Sequence, residues 1–129
     1  MSSVHNHTDI KIFLVDDDAF NLKVIKFHLN QLGYKDVTPF DNGVDCLKQL
    51  TLKPNIVFLD QYMYGVQGID VLREIKQLDP EIIVVMLSAE DSKSSAELFR
   101  QQGAFDYIIK GNEAINRISE VLTKLSPKA

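Results

Sequence analysis

A chain of 129 residues with 45% apolar and 25% charged side chains has the size and composition of one globular domain with one core, which excludes a multidomain machine. A net charge of −4, from 14 basic and 18 acidic side chains, gives no field that would gather polyanions, so direct nucleic-acid binding is not expected. The lone Cys46 has no bridging partner and fits a reducing compartment, and no apolar run reaches the ~20 residues of a membrane span. With no export signal at the N-terminus either, a cytoplasmic location without membrane contact is expected.

Residues 1–9 carry no periodicity and read as a flexible tail that includes His5 and His7, rather than as a metal site. An apolar stretch over 10–15 predicts a mostly buried first strand, which stops at Asp16, Asp17 and Asp18. Leu22, Ile25, Leu29 and Leu32 then recur at helical spacing, with Gly33 as the stop. A short strand over 36–40 and a helix over 44–50 follow, then a strongly apolar strand over 55–59 behind Pro54. Ile69, Leu72 and Ile75 share one face of a third helix, and the Asp79-Pro80 break leads into a strand over 82–87. A polar helix over 92–102 passes through Gly103 into a strand over 104–109, and Ile115, Ile118, Leu122 and Leu125 mark the last helix.

Five strand–helix pairs with apolar strands imply a parallel sheet covered on both faces, because right-handed crossovers place the helices there. The expected fold class is α/β, a doubly wound five-stranded sheet in the order 2-1-3-4-5 flanked by five helices, with residues 10–125 as the domain and 126–129 as a C-terminal tail. The site then belongs at the C-terminal edge of strands one and three.

The polar groups that end the strands are Asp16, Asp17 and Asp18 after the first, Asp60 after the third, Ser88 after the fourth and Lys110 after the fifth. Carboxylates gathered ~4 Å apart repel by about 4 kcal/mol per pair at an effective dielectric of 20, so a positive charge must sit among them. Hard oxygen donors without sulfur suit Mg²⁺ rather than zinc. With Lys110 as a second cation and Ser88 as a hydroxyl, the constellation suits a group with several anionic oxygens, best a phosphoryl group, and Asp60 is the candidate nucleophile for an acyl phosphate. Each residue alone has a plainer reading. Asp18 serves equally as a helix N-cap, Ser88 as a loop hydroxyl, Lys110 as a solvated strand end, and Tyr107 as a packed strand aromatic with its hydroxyl in water.

The stretches KIFLVDDDAFNLKVI, PNIVFLDQYMYGVQGIDVLREIK, IIVVMLSAED and GAFDYIIK together resemble the response regulator receiver domain of bacterial two-component systems, CheY-like in character, from about Ile10 to Leu125. The resemblance implies that Asp60 is the phosphoacceptor, that Asp16, Asp17, Asp60 and the Tyr62 carbonyl hold Mg²⁺, and that Ser88 and Lys110 contact the phosphoryl oxygens. It further implies that phosphorylation draws Ser88 toward the phosphoryl group and lets Tyr107 move inward as the switch, while Tyr62 and Glu90 tune the phosphoryl lifetime. A sensor histidine kinase or histidine phosphotransfer protein would donate the phosphoryl group. A downstream protein would dock on the fourth helix, fifth strand and fifth helix, with the chain a monomer or a phosphorylation-dependent dimer. The chain would catalyse its own phosphorylation and dephosphorylation without being a turnover enzyme. It departs from the family pattern at Tyr64, where the family usually has Pro, and at Gly111, where Pro normally follows the lysine. A trans Lys110-Gly111 bond is therefore expected, because a cis bond before a non-proline residue costs about 2.5–4 kcal/mol.

No effector domain is expected in the 19 residues after Lys110, so the chain is either a stand-alone receiver or the N-terminal piece of a longer protein. Competing readings are a phosphorylation-independent receiver-like binding module, a haloacid dehalogenase-type phosphatase suggested by the Asp16-x-Asp18 spacing, and an FMN carrier. Phe20 stands where the phosphatase motif wants Thr or Val, and three aspartates would repel the FMN phosphate.

Overall fold

The structure, a computed structural model, describes residues 9–125. The expected tails, with His5 and His7 in the first, fall outside these residues apart from Asp9. Strands β1 (Ile12–Val15), β2 (Val37–Phe40), β3 (Ile56–Asp60), β4 (Ile83–Ser88) and β5 (Asp106–Ile109) alternate with helices α1 (Ala19–Gln31), α2 (Gly43–Lys48), α3 (Gly68–Leu78), α4 (Lys93–Gln101) and α5 (Ala114–Leu125). All strand pairs are parallel, and the sheet order is β2-β1-β3-β4-β5, as the alternation of elements predicts.

Successive residues of each strand face opposite sides, so the sheet separates two core layers. Ile12, Leu14, Ile56, Phe58, Val85, Leu87 and Ile108 pack on one side with Leu22, Ile25 and Leu29 of α1 and Ile118 and Leu122 of α5. Phe13, Val15, Val57, Leu59, Val84, Met86 and Tyr107 pack on the other with Cys46 of α2, Leu72 and Ile75 of α3 and Phe99 of α4. Pro39 is tolerated in β2 because that strand lies at the sheet edge, where a missing N–H costs no ladder bond.

The differences from expectation have local causes. The first strand begins at Ile12 rather than at 10, because the Lys11 amide donates to the Asn55 side chain, 2.8 Å away, before the ladder starts. The second helix stops at Lys48 and a 3-10 turn, Leu50–Leu52, carries the chain to Lys53 and Pro54. Leu32 leaves the apolar stripe: it is the C-cap of α1 and stays exposed. In α4 the polar sequence leaves Phe99 as the buried anchor. Among the described residues no helix is long and apolar enough to cross a membrane.

Candidate phosphoryl-acceptor site

The strand ends deliver the polar groups to one edge of the sheet. Asp16 follows β1 directly, Asp60 and Ser88 are the last residues of β3 and β4, and Lys110 follows β5. Asp16, Asp60 and Ser88 are buried, so their polar atoms must find partners within the protein or in a ligand. Lys110 Nζ lies 2.9 Å from Asp60 Oδ1 and 3.2 Å from Asp16 Oδ2, bridging two carboxylates that come from the ends of adjacent strands. The same Asp16 oxygen accepts from Asn21 Nδ2 at 2.7 Å, and its Oδ1 accepts from the Asp18 amide at 2.9 Å. These bonds fix the carboxylate from α1 as well as from the loop.

One carboxylate oxygen from each of Asp16, Asp17 and Asp60 lies within 4.8 Å of the others. Three carboxylates against the single Lys110 ammonium leave two negative charges uncompensated, and all the donors are hard oxygens. That set fits a small dication such as Mg²⁺. The cost of crowding shows in Asp60, whose pKa is pushed up from 3.8 to about 6, first by burial and then by the Asp16 charge, against the opposing pull of Lys110. Burial works against the Lys110 ammonium, but its bonds and attraction to Asp60 and Asp16 win and hold its pKa above the usual lysine value.

Asp18 takes the plainer of its two readings. Its side chain caps α1, accepting from the amides of Phe20 at 3.0 Å and Asn21 at 3.3 Å, and it stands outside the carboxylate group. The Asp-x-Asp spacing that suggested a phosphatase therefore does not put two carboxylates into the site.

The loop after β3 is pinned on both sides. Asp17 Oδ2 accepts from the Tyr64 amide at 2.9 Å, and the Gly68 amide donates to the Gln61 carbonyl at 3.1 Å. A Cβ on Gly68 would clash with the Asp60 carbonyl oxygen, so only glycine lets α3 approach the acceptor strand this closely. Tyr62 and Tyr64 are exposed. The Tyr62 hydroxyl donates to Glu90 Oε1 at 3.2 Å, and Ser95 Oγ of α4 donates to the same oxygen at 3.0 Å. This carboxylate raises the Tyr62 pKa.

Ser88 Oγ accepts from the Glu90 amide at 2.9 Å. Tyr107 departs from the expected wet hydroxyl and already takes the inward position that the resemblance ties to phosphorylation: the residue is 5% exposed, its ring packs against Phe99 and its hydroxyl bonds inside the protein, to Gln61 and to the Glu90 carbonyl. The chain has no cis peptide among the described residues, so Lys110-Gly111 is trans as expected. Gly111 has φ 142°, which a proline fixed near −65° could not adopt, so the loop after β5 takes a course closed to the usual family residue. On the face of α4, β5 and α5, Asp106 pairs with Arg117 at 2.9 Å and Arg100 at 3.3 Å, tying the three elements together.

Sequence reasoning missed Asn21, Ser95 and above all Gln61, a buried polar residue between the acceptor and Tyr62. Its signal was a long polar side chain directly after an apolar strand, where burial leaves little room for one.

The chain belongs to the response regulator receiver domain family, whose sequence pattern it matches over residues 12–122. It is 35% identical to the chemotaxis protein CheY of Bacillus subtilis over 88% of this chain and 95% of that protein. It is also 32% identical to the chemotaxis protein CheY of Thermotoga maritima, over 90% of this chain and 97% of that protein. Among solved structures it is similar to a response regulator receiver domain protein from Clostridium thermocellum, with a TM-score of 0.81, 29% identity, and coverage of 89% of this chain and 92% of that one.

Proposed function

We propose that this receiver accepts a phosphoryl group on Asp60 from a phosphohistidine of a sensor kinase or phosphotransfer protein, in a Mg²⁺-dependent reaction in the cytoplasm. The observation that carries the reading is the Lys110 bridge between Asp16 and Asp60 within a carboxylate group that is two charges short of balance. A carboxylate oxygen of Asp60 attacks phosphorus, the phosphorus–nitrogen bond breaks, and the imidazole departs, leaving an acyl phosphate. Asp16, Asp17, Asp60 and the Tyr62 carbonyl would hold Mg²⁺, which when bound offsets the charge of the incoming oxygens. Lys110 exchanges part of its pairing with Asp60 for a phosphoryl oxygen, and Ser88 turns its hydroxyl from the Glu90 amide toward another. Tyr62 and Glu90, joined by their hydrogen bond, stand where they govern the approach of the water that later removes the group.

Movement of Ser88 acts on Tyr107 through Glu90, whose amide holds the serine and whose carbonyl holds the phenol. The readout is a population shift of the α4-β5-α5 face that a downstream protein reads, by docking of a monomer or by phosphorylation-dependent dimerisation. The chain catalyses changes on its own Asp60 and turns over no external phosphomonoester.

Intact-mass measurement after incubation with acetyl phosphate tests this. Wild type gains one phosphoryl group with Mg²⁺ and none with EDTA, and Asp60→Asn gains none. An unmodified wild type would favour a phosphorylation-independent binding module, and release of phosphate from added phosphomonoesters would favour an enzyme.

A further inference from the structure

We infer that Gln61 is a positioning residue that latches Tyr107 in its buried orientation in the unphosphorylated protein. The inference rests on reading Tyr107 as the residue that reports the state of the receiver. Gln61 immediately follows Asp60, and its backbone is held on both sides, by its amide donating to the Leu87 carbonyl at 2.9 Å and its carbonyl accepting from Gly68. With the backbone held and the residue 8% exposed, the side chain lies inside the protein, where it meets the Tyr107 hydroxyl at 2.8 Å, 46 residues away in the chain.

The chemistry of the pair sets its direction. The Tyr107 oxygen also lies 2.9 Å from the Glu90 carbonyl, and a phenol has one proton, so it cannot donate fully to two acceptors. Turning the Gln61 amide by 180° exchanges its oxygen for its nitrogen without changing its shape. Gln61 Nε2 then donates to the phenol oxygen while the phenol donates to the Glu90 carbonyl, so the phenol uses both its proton and its oxygen. An apolar residue at 61 would leave the phenol with the Glu90 carbonyl alone. With Gln61 present, outward rotation of Tyr107 strands a buried amide, which penalises the outward state. The latch couples the residue next to the acceptor to the aromatic beneath α4, and it biases the receiver toward the buried ring before any phosphoryl group arrives.

The test uses the full chain labelled with 3-fluorotyrosine, unphosphorylated and without Mg²⁺, so that a failure of the phosphoacceptor reading leaves the readout intact. Tyr107→Phe assigns the Tyr107 fluorine line among the four tyrosines. Gln61→Leu keeps the bulk and removes the amide. It is expected to raise the ratio of solvent-exposed to buried Tyr107 about tenfold, read from the H₂O/D₂O shift of that line, while Tyr34 in the opposite core layer stays in place. A Tyr107 line unmoved by Gln61→Leu overturns the inference, and so does an equal movement of Tyr34, which would mean general loosening. If Gln61→Leu does not fold, the reciprocal measurement decides. The Gln61 side-chain amide resonances should move in Tyr107→Phe, and unchanged resonances would overturn the latch.

Discussion

Replacing Asp60 by Asn should stabilise the metal-free protein, although it removes the partner of a 2.9 Å ion pair. The carboxyl is pushed up from 3.8 to about 6 even with Lys110 beside it, so ionising Asp60 inside the fold is unfavourable on balance. That rise corresponds to about 3 kcal/mol at pH 7.5, where the folded and unfolded forms are both ionised. Because the folded pKa lies above the unfolded one, wild-type stability is lost as pH rises from about 4 through about 6. An asparagine in its place carries no charge to bury, so the variant escapes that loss. Urea unfolding in EDTA should show Asp60→Asn more stable by about 3 kcal/mol at pH 7.5, with most of that gap gone at pH 4, where the native wild type is already protonated. In a thermal scan the neutral-pH gap is on the order of 10 °C. Saturating Mg²⁺ should narrow it by stabilising wild type more than the variant. A variant no more stable than wild type at pH 7.5, or a gap that does not shrink toward pH 4, would refute the reasoning and make Lys110 the dominant influence on this carboxyl.

Asp18→Ala removes the two cap bonds of α1 and should cost about 1 kcal/mol of stability while leaving phosphorylation from acetyl phosphate intact, measured by urea unfolding and intact mass. Loss of phosphorylation in a folded Asp18→Ala protein would return Asp18 to the site. Gly68→Ala drives a methyl into the Asp60 carbonyl and should cost about 1–3 kcal/mol and slow phosphorylation together, whereas an unchanged rate would show that the acceptor loop does not need this close approach. Tyr62→Asn breaks the bond to Glu90 and should change the aspartyl-phosphate lifetime without abolishing phosphorylation; a phosphate-release time course identical to wild type counts against any role of that pair.

The strands and the acceptor edge are legible in the sequence because the signals for them are local and coarse. A β-branched run that ends in acids predicts both a buried strand and the place where its polar end emerges, and five such units in alternation leave few ways to arrange a sheet. Hence Asp16, Asp60, Ser88 and Lys110 can be assigned to one edge although they are spread over most of the chain. Periodicity says nothing about where the polar tip of a side chain turns, which is why Gln61 and Asn21 escape a reading of the sequence and why the Tyr107 hydroxyl is expected in water. The expectation for Leu32 fails from the same root: helical spacing continues past the last helical residue, and only the cap geometry shows that the stripe has ended. Gly111 stands out in the sequence as a departure from the family, but its positive φ is a property of the whole loop that a single glycine does not announce.

The most direct test of the account is to trap the acyl phosphate. Wild type treated with acetyl phosphate and Mg²⁺, then reduced with borohydride and digested, should carry homoserine at position 60 and at no other aspartate, with Asp16 and Asp17 recovered unchanged. Homoserine at another position, or a phosphoryl group that borohydride does not remove because it sits on histidine or a hydroxyl, would contradict the assignment of Asp60 as the acceptor.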